Sequence, residues 1–216
     1  VVALKVVSFA QYLTKAESPW RQDDYHSSKF IKAIKGEPVN GYAYVPVLGV
    51  RRELTQQNAS EATQWFGEMA APELAELDLP RPLVFVPIPN SSSTVNSKNP
   101  PSTIKLAQAI AGRLKDTNVW DGLRFKVAMK KSRQGGSRDP QEIYDNLTIA
   151  KPIPKADIVL IDDVRTTGAH MIAARAKLAG HGGNCLIGVC AGRSTWTQEA
   201  QPFSVVTDEL EDFTPA

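Results

Sequence analysis

Apolar residues in this chain gather in short unbroken runs, set between stretches whose apolar positions recur at helical spacing. Ile158 to Ile161, Leu83 to Val86 and Cys185 to Cys190 are the main runs. Continuous apolar runs bounded by turn-forming residues predict strands buried on both faces of a parallel sheet. TIKLAQAIAGRL at 103–114 places Ile104, Ala107, Ala111 and Leu114 on one stripe, with Ser102 as its N-cap, and predicts a helix. HMIAARAKLAG at 170–180 predicts another, ending at Gly180. FKVAM at 125–129 reads as a further apolar run. Strand and helix alternate, which predicts an α/β fold with a mostly parallel central sheet and flanking helices.

The first eighty residues follow a different pattern. Helical stretches at 27–36 and 60–69 flank the extended segment YAYVPVLGV at 42–50. We expect a small helical and extended cap over residues 1–80, with Trp20, Trp65 and Phe66 in its core, and the main domain over 81–216. Pro80, Arg81 and Pro82 punctuate the boundary. Two long polar segments interrupt the main domain: 87–102, rich in Pro, Ser and Asn, and 130–142, with paired glycines and several cations. Loops of that length without regular structure are commonly functional, and the second is expected to be mobile.

Composition narrows the function classes. With 42% hydrophobic and 22% charged residues the chain is expected to fold, and its formal charge of +2 gives no general footprint for nucleic acid or an anionic membrane. No apolar run reaches the roughly 18 residues of a membrane span and no signal-peptide pattern is present, so a cytoplasmic protein is expected. Cys185 and Cys190 lie five apart in a predicted strand. Strict alternation would put them on opposite faces, as two buried thiols that cannot pair.

The chemistry concentrates after the run at 158–161. Asp162 and Asp163 follow it directly, at the carboxyl end of a predicted strand, where open α/β sheets bind ligands. Val164 to His170 then opens a helix, whose N-terminus offers unpaired N–H groups and partial positive charge, while Gly168 permits close backbone approach and two threonines add hydroxyls. Acids beside a phosphate cradle point to a sugar phosphate, its diol on the carboxylates and its phosphate on the loop.

IVLIDDVRTTGAH at 158–170 resembles the phosphoribosyl-diphosphate (PRPP) signature of type I phosphoribosyltransferases, with His170 at a position where the family has Thr or Ser and Arg165 at a variable one. Over roughly residues 30–195 the chain is similar to the subgroup related to the competence-associated ComF proteins: FIKAIKG resembles their segment before the core, VPIP their pyrophosphate loop, and IKLAQAIAGRL the helix after it. Their zinc-binding cysteines and Arg-Gly-Phe-Asn-Gln run are absent, Lys98 being the only basic residue near that arginine position. Asn146 fits a late Arg-x-x-Asn element whose arginine is here Ile143. The resemblance implies catalytic Asp162 and Asp163 on the ribose hydroxyls and Thr166, Thr167, Gly168, Ala169 and His170 on the 5′-phosphate. It implies Ile88, Pro89, Asn90 and Ser91 facing pyrophosphate, and Mg2+ bound through PRPP. Lys130, Lys131, Arg133 and Arg138 would form a basic lid over the leaving group.

Two functions follow. One is a magnesium-dependent phosphoribosyltransferase of nucleotide metabolism, joining PRPP to an acceptor such as a nucleobase; the basic lid favours it. The other is a catalytically silent PRPP- or nucleotide-binding regulatory module, favoured by the missing arginines. Hydrolysis, with water as acceptor, is a third outcome of the same site. Trp196 and Tyr144 are candidates either for stacking on an acceptor or for packing, and His26 and His181 have no evident partner. A second copy of the chain or a regulatory protein is the expected macromolecular partner.

Overall fold

A computed structural model describes residues 3–15, 18–130 and 136–216. Its main sheet has six strands, in the order β10 (Val206–Leu210), β1 (Leu4–Leu13), β9 (Asn184–Thr195), β8 (Asp157–Arg165), β4 (Leu83–Pro87) and β5 (Thr117–Val119). Neighbours from β1 to β5 pair in parallel, and β10 closes one edge antiparallel to β1. The expected α/β class, a mostly parallel sheet with flanking helices, is the observed architecture.

Alternation along the buried strands divides the core in two. Val159 and Ile161 of β8, with Leu83 and Phe85 of β4, face a layer built from α1 (Gln22–Ile34), α2 (Ala62–Glu76), α3 (Ile104–Ala111) and the hairpin of β2 (Tyr42–Val47) and β3 (Val50–Thr55). Ile158 and Leu160, with Val84 and Val86, face α4 (Pro140–Asn146), α5 (Ala169–Ala179) and the antiparallel pair β6 (Leu123–Phe125) and β7 (Leu147–Ile149). Because both faces of β4 and β8 are covered, their sequences are unbroken apolar runs.

Several expectations change. Residues 1–80 are not wholly a cap: β1 lies between β9 and β10 inside the main sheet, while α1, the hairpin and α2 pack on one face of it. α1 begins at Gln22 because Arg21 and Asp24 close on each other. The Arg21 amide donates to Asp24 Oδ2 at 2.8 Å, and its guanidinium reaches both oxygens of that fully buried carboxylate. The buried stripe of α3 runs through Leu106, Ala107, Ala109 and Ile110. Its N-cap is Thr103, whose hydroxyl donates to the Ile88 carbonyl at 2.7 Å. FKVAM is strand only at Phe125. Beyond it the Asn146 side chain takes the Val127 amide at 3.0 Å and donates to the Val127 carbonyl at 2.9 Å, so Asn146 is a structural clamp. Part of 130–142 is regular: Asp139 caps α4 by accepting from the Gln141 amide, with Pro140 in the first turn.

Cys185 and Cys190 are both buried, free and on the same α5-facing side. A β-bulge opposite Ile158/Val159 inserts Leu186 into the register and reverses the alternation. Their separation along the strand still keeps them from pairing.

α2 crosses α3 closely at Gly67. A Cβ there would stand 2.5 Å from the Ala109 carbonyl oxygen and 2.7 Å from its carbon. Gly67→Ala gains about 1 kcal/mol of helix propensity, but forcing a methyl onto backbone costs about 1–3 kcal/mol. Thermal melting is expected to show Tm lowered, by up to about 8 °C; a raised Tm would mean the two helices have room to separate.

Candidate functional site

The acid pair inherits the alternation of β8. Asp162 continues the α5-facing side and lines a hollow with Val164, Arg165, Thr166, Gly168, Ala169, His170 and Met171. Asp163 follows it, with Lys35, the residue closing α1, and Glu37 acting on its charge. The two carboxylates lie within hydrogen-bonding reach of each other at the strand end, and both fold back on backbone: Asp162 Oδ1 accepts the Asp163 amide at 2.8 Å, and Asp163 Oδ1 the Val164 amide at 2.6 Å. Burial pushes both acids above the usual carboxylate range, Asp162 further because Asp163 repels its charge. The Lys35 ammonium, seated 5.2 Å from the Tyr12 ring centroid, pulls the other way.

Past the acids β8 runs on to Arg165, and the chain turns through Thr166 and Thr167, both exposed, into α5. Gly168 makes the turn with φ +85°, a left-handed conformation that side-chain-bearing residues rarely adopt. A Cβ there would also stand 2.4 Å from Leu210 Cδ1. The first-turn amides of α5 have no intrahelical acceptor and surround the hollow. Thr167 Oγ1 accepts from the Ala169 amide at 3.4 Å, a long contact that an anion could displace. His170 sits with its ring edge-on to Phe125 at 6.2 Å, and burial lowers its pKa, which disfavours a positive charge on the ring.

The opposite rim holds the segment expected to face pyrophosphate. Ile88 donates its amide to the Ile161 carbonyl at 2.8 Å, which fixes residues 88–91 beside the end of β8. Asn90 Oδ1 is engaged within this segment, accepting from the Ser92 amide and from the hydroxyls of Ser92 and Ser93. Ser91 gives its carbonyl to the Met129 amide at 2.8 Å, bringing the neighbouring Lys130 toward the same rim. Lys130 and Arg138 are exposed; Lys131 and Arg133 lie outside the described residues.

Other candidates fall elsewhere. Trp196 is exposed just past β9, whereas Tyr144 packs between Lys177, at 3.7 Å, and Phe213. His26 lies buried against Tyr42 and Tyr44. With Tyr44, Arg51 and Phe203 it lines a separate cleft of about 570 Å3 beside the first turn of α1, at the other end of that helix from Lys35. Lys35 was not identified from sequence, nor was Asp208, which pairs with Arg165. Nothing local marks either one, since each reaches the site from a distant part of the chain.

Among the described residues no group of three or more His, Cys, Asp or Glu side chains is placed to hold a metal, and no helix is long and apolar enough to cross a membrane. No family model matches the chain, and no curated protein matches it in sequence. Solved structures similar to it include adenine phosphoribosyltransferase from Saccharomyces cerevisiae, at 14% identity over 77% of this chain and 89% of that one, with a TM-score of 0.42. The enzyme from Trypanosoma brucei, in complex with AMP, pyrophosphate and ribose-5-phosphate, aligns at 15% identity over 76% and 78%, TM-score 0.40. That from Leishmania donovani aligns at 12% over 87% and 84%, TM-score 0.40. Likenesses at this level do not assign the chain to a family.

The raised acids carry a stability consequence. A carboxyl whose folded pKa exceeds its unfolded value, about 4, makes the folded state less stable as pH rises between the two values. Asp162→Asn/Asp163→Asn removes that cost. At pH 7.5 the double variant is expected to melt about 2–4 °C above wild type, the scale of a 1 kcal/mol change in a chain this long. The gain should close below about pH 4, where both forms are neutral. A double variant less stable than wild type at pH 7.5 would show that the ionised pair supports the fold.

Proposed function

We propose that the end of β8 binds a phosphorylated pentose, and that the protein is a phosphoribosyltransferase of type I fold acting on PRPP. The observation carrying this reading is the continuity of two half-buried acids at the carboxyl end of a central parallel strand with a left-handed glycine turn into a helix N-terminus. Together they offer acceptors for a vicinal diol and donors for a phosphate.

Each residue has a distinct task in this proposal. When ionised, Asp162 and Asp163 accept hydrogen bonds from the 2′- and 3′-hydroxyls and stabilise positive charge developing on the ribose ring. Thr166, Thr167 and the amides of Gly168 to His170 hold the 5′-phosphate and so orient the anomeric carbon. Residues 88–91 supply backbone and hydroxyl contacts to the diphosphate. The two carboxylates fit Mg2+ in the way that ion is commonly bound, through one or two acids with substrate phosphates and water completing the sphere. Such a cation would neutralise diphosphate charge and favour the ionised acids. Lys130, Lys131, Arg133 and Arg138 are proposed to close over the leaving group.

A second reading, a binding module without turnover, is favoured by the use of Asn90 within its own turn and by the exposure of Lys130 and Arg138, none of which is preorganised for pyrophosphate.

Calorimetric titration of PRPP with Mg2+ into wild type and Asp162→Asn/Asp163→Asn separates these readings. We expect the double variant to lose at least about tenfold in affinity, since each charge-assisted bond contributes strongly, and wild type to release pyrophosphate in the presence of an accepting base. Binding without release would support the silent module. Failure of wild type to bind PRPP or any nucleoside monophosphate would remove the site assignment.

A further inference from the structure

β10 reaches the phosphate loop with alternate residues. Asp208 and Leu210 share one side of that strand, Asp208 pairing with Arg165 and Leu210 filling the space under Gly168. Beyond the strand, Asp212 lies 3.4 Å from the Arg175 guanidinium, Phe213 packs on Tyr144, and the Ala216 amide donates to Gln141 at 2.9 Å. The chain from 206 to 216 thus runs along α5 and α4 and is anchored at the loop.

Arg165 is the cation within this arrangement. Its side chain is 14% exposed and lines the same hollow as Asp162, Thr166, Gly168 and His170. One terminal nitrogen binds Asp208 Oδ2, the other donates to the Thr166 carbonyl at 3.3 Å, and the buried Nε has no hydrogen-bond partner among the described residues. The hollow itself measures only about 10 Å3, room for about one water. A buried Nε–H left without an acceptor costs free energy, and a tetrahedral oxyanion is a ligand the guanidinium fork matches.

We infer that Arg165 is a phosphate-binding residue of the loop and that Asp208 is its built-in competitor, an internal carboxylate holding the guanidinium that the ligand's phosphate takes over. This rests on the reading of the loop as a phosphate site. Ligand binding exchanges one anion for another at Arg165, so loop affinity is set partly by the strength of the Arg165–Asp208 pair. Because Asp208 sits on the edge strand, any change that shifts β10 also changes phosphate affinity.

The test uses ribose 5-phosphate, with inorganic phosphate as a second probe, titrated into the full chain. Asp208→Asn is expected to tighten ribose 5-phosphate binding about three- to tenfold by removing the competing charge, and Arg165→Gln to weaken it about tenfold or more. In Arg165→Gln/Asp208→Asn the gain should vanish, which a purely structural role for Asp208 would not produce. Arg165→Lys, keeping the charge, guards against a variant that fails to fold and should bind between wild type and Arg165→Gln. Binding by Asp208→Asn where wild type is silent would also support the competition. Wild-type affinity retained in both single variants would overturn this inference while leaving the phosphate site intact. No binding by wild type or Asp208→Asn would overturn both.

Discussion

Parallel pairing of β8 between β4 and β9 is the constraint on which the site depends. It buries both faces of Ile158 to Ile161 and stops the apolar run where the sheet's cover ends. The acids are thereby delivered side by side at one edge of the core. Burial raises their pKa because it comes with the position rather than with a dedicated pocket. A less buried strand would present the same two residues as ordinary solvated carboxylates.

The loop after them depends on a second fixed point. Gly168 can turn left-handed without strain, and its missing side chain leaves space that Leu210 fills from the edge strand. The turn at Thr166–Gly168 is therefore supported from below by a strand more than thirty residues later in the chain. That support brings a carboxylate with it, and burial disfavours a positive charge on His170 that would offset it. Arg165 is the cation of the hollow, already engaged by an anion of the protein itself.

Local patterns made part of this legible. β4, β8, α5 and most of β9 are written as apolar runs and a helical stripe, and the acid pair, the threonines and Gly168 sit where their order along the chain places them. β1 and β10 were missed for a shared reason. Each owes its place in the sheet to partners nearly two hundred residues away, and Val206–Leu210 alternates like any exposed edge segment. The reversed face of Cys185 came from a bulge that alternation cannot foresee. By contrast, the start of α4 carried its signal in Asp139-Pro140, a cap followed by a first-turn proline, and was passed over because glycines and cations dominated the segment. Lys35 and Asp208 carry no local mark at all, since their relevance lies in the charges that the fold sets beside them.

The central claim is that the β8–α5 turn is where a sugar phosphate binds. Amide hydrogen exchange with and without ribose 5-phosphate tests it most directly, because it locates the ligand on the chain without presuming turnover. The account predicts slowed exchange at the amides of 166–171, and little change around the cleft formed by His26, Tyr44 and Arg51. Protection centred on that cleft, with the turn unaffected, would contradict it.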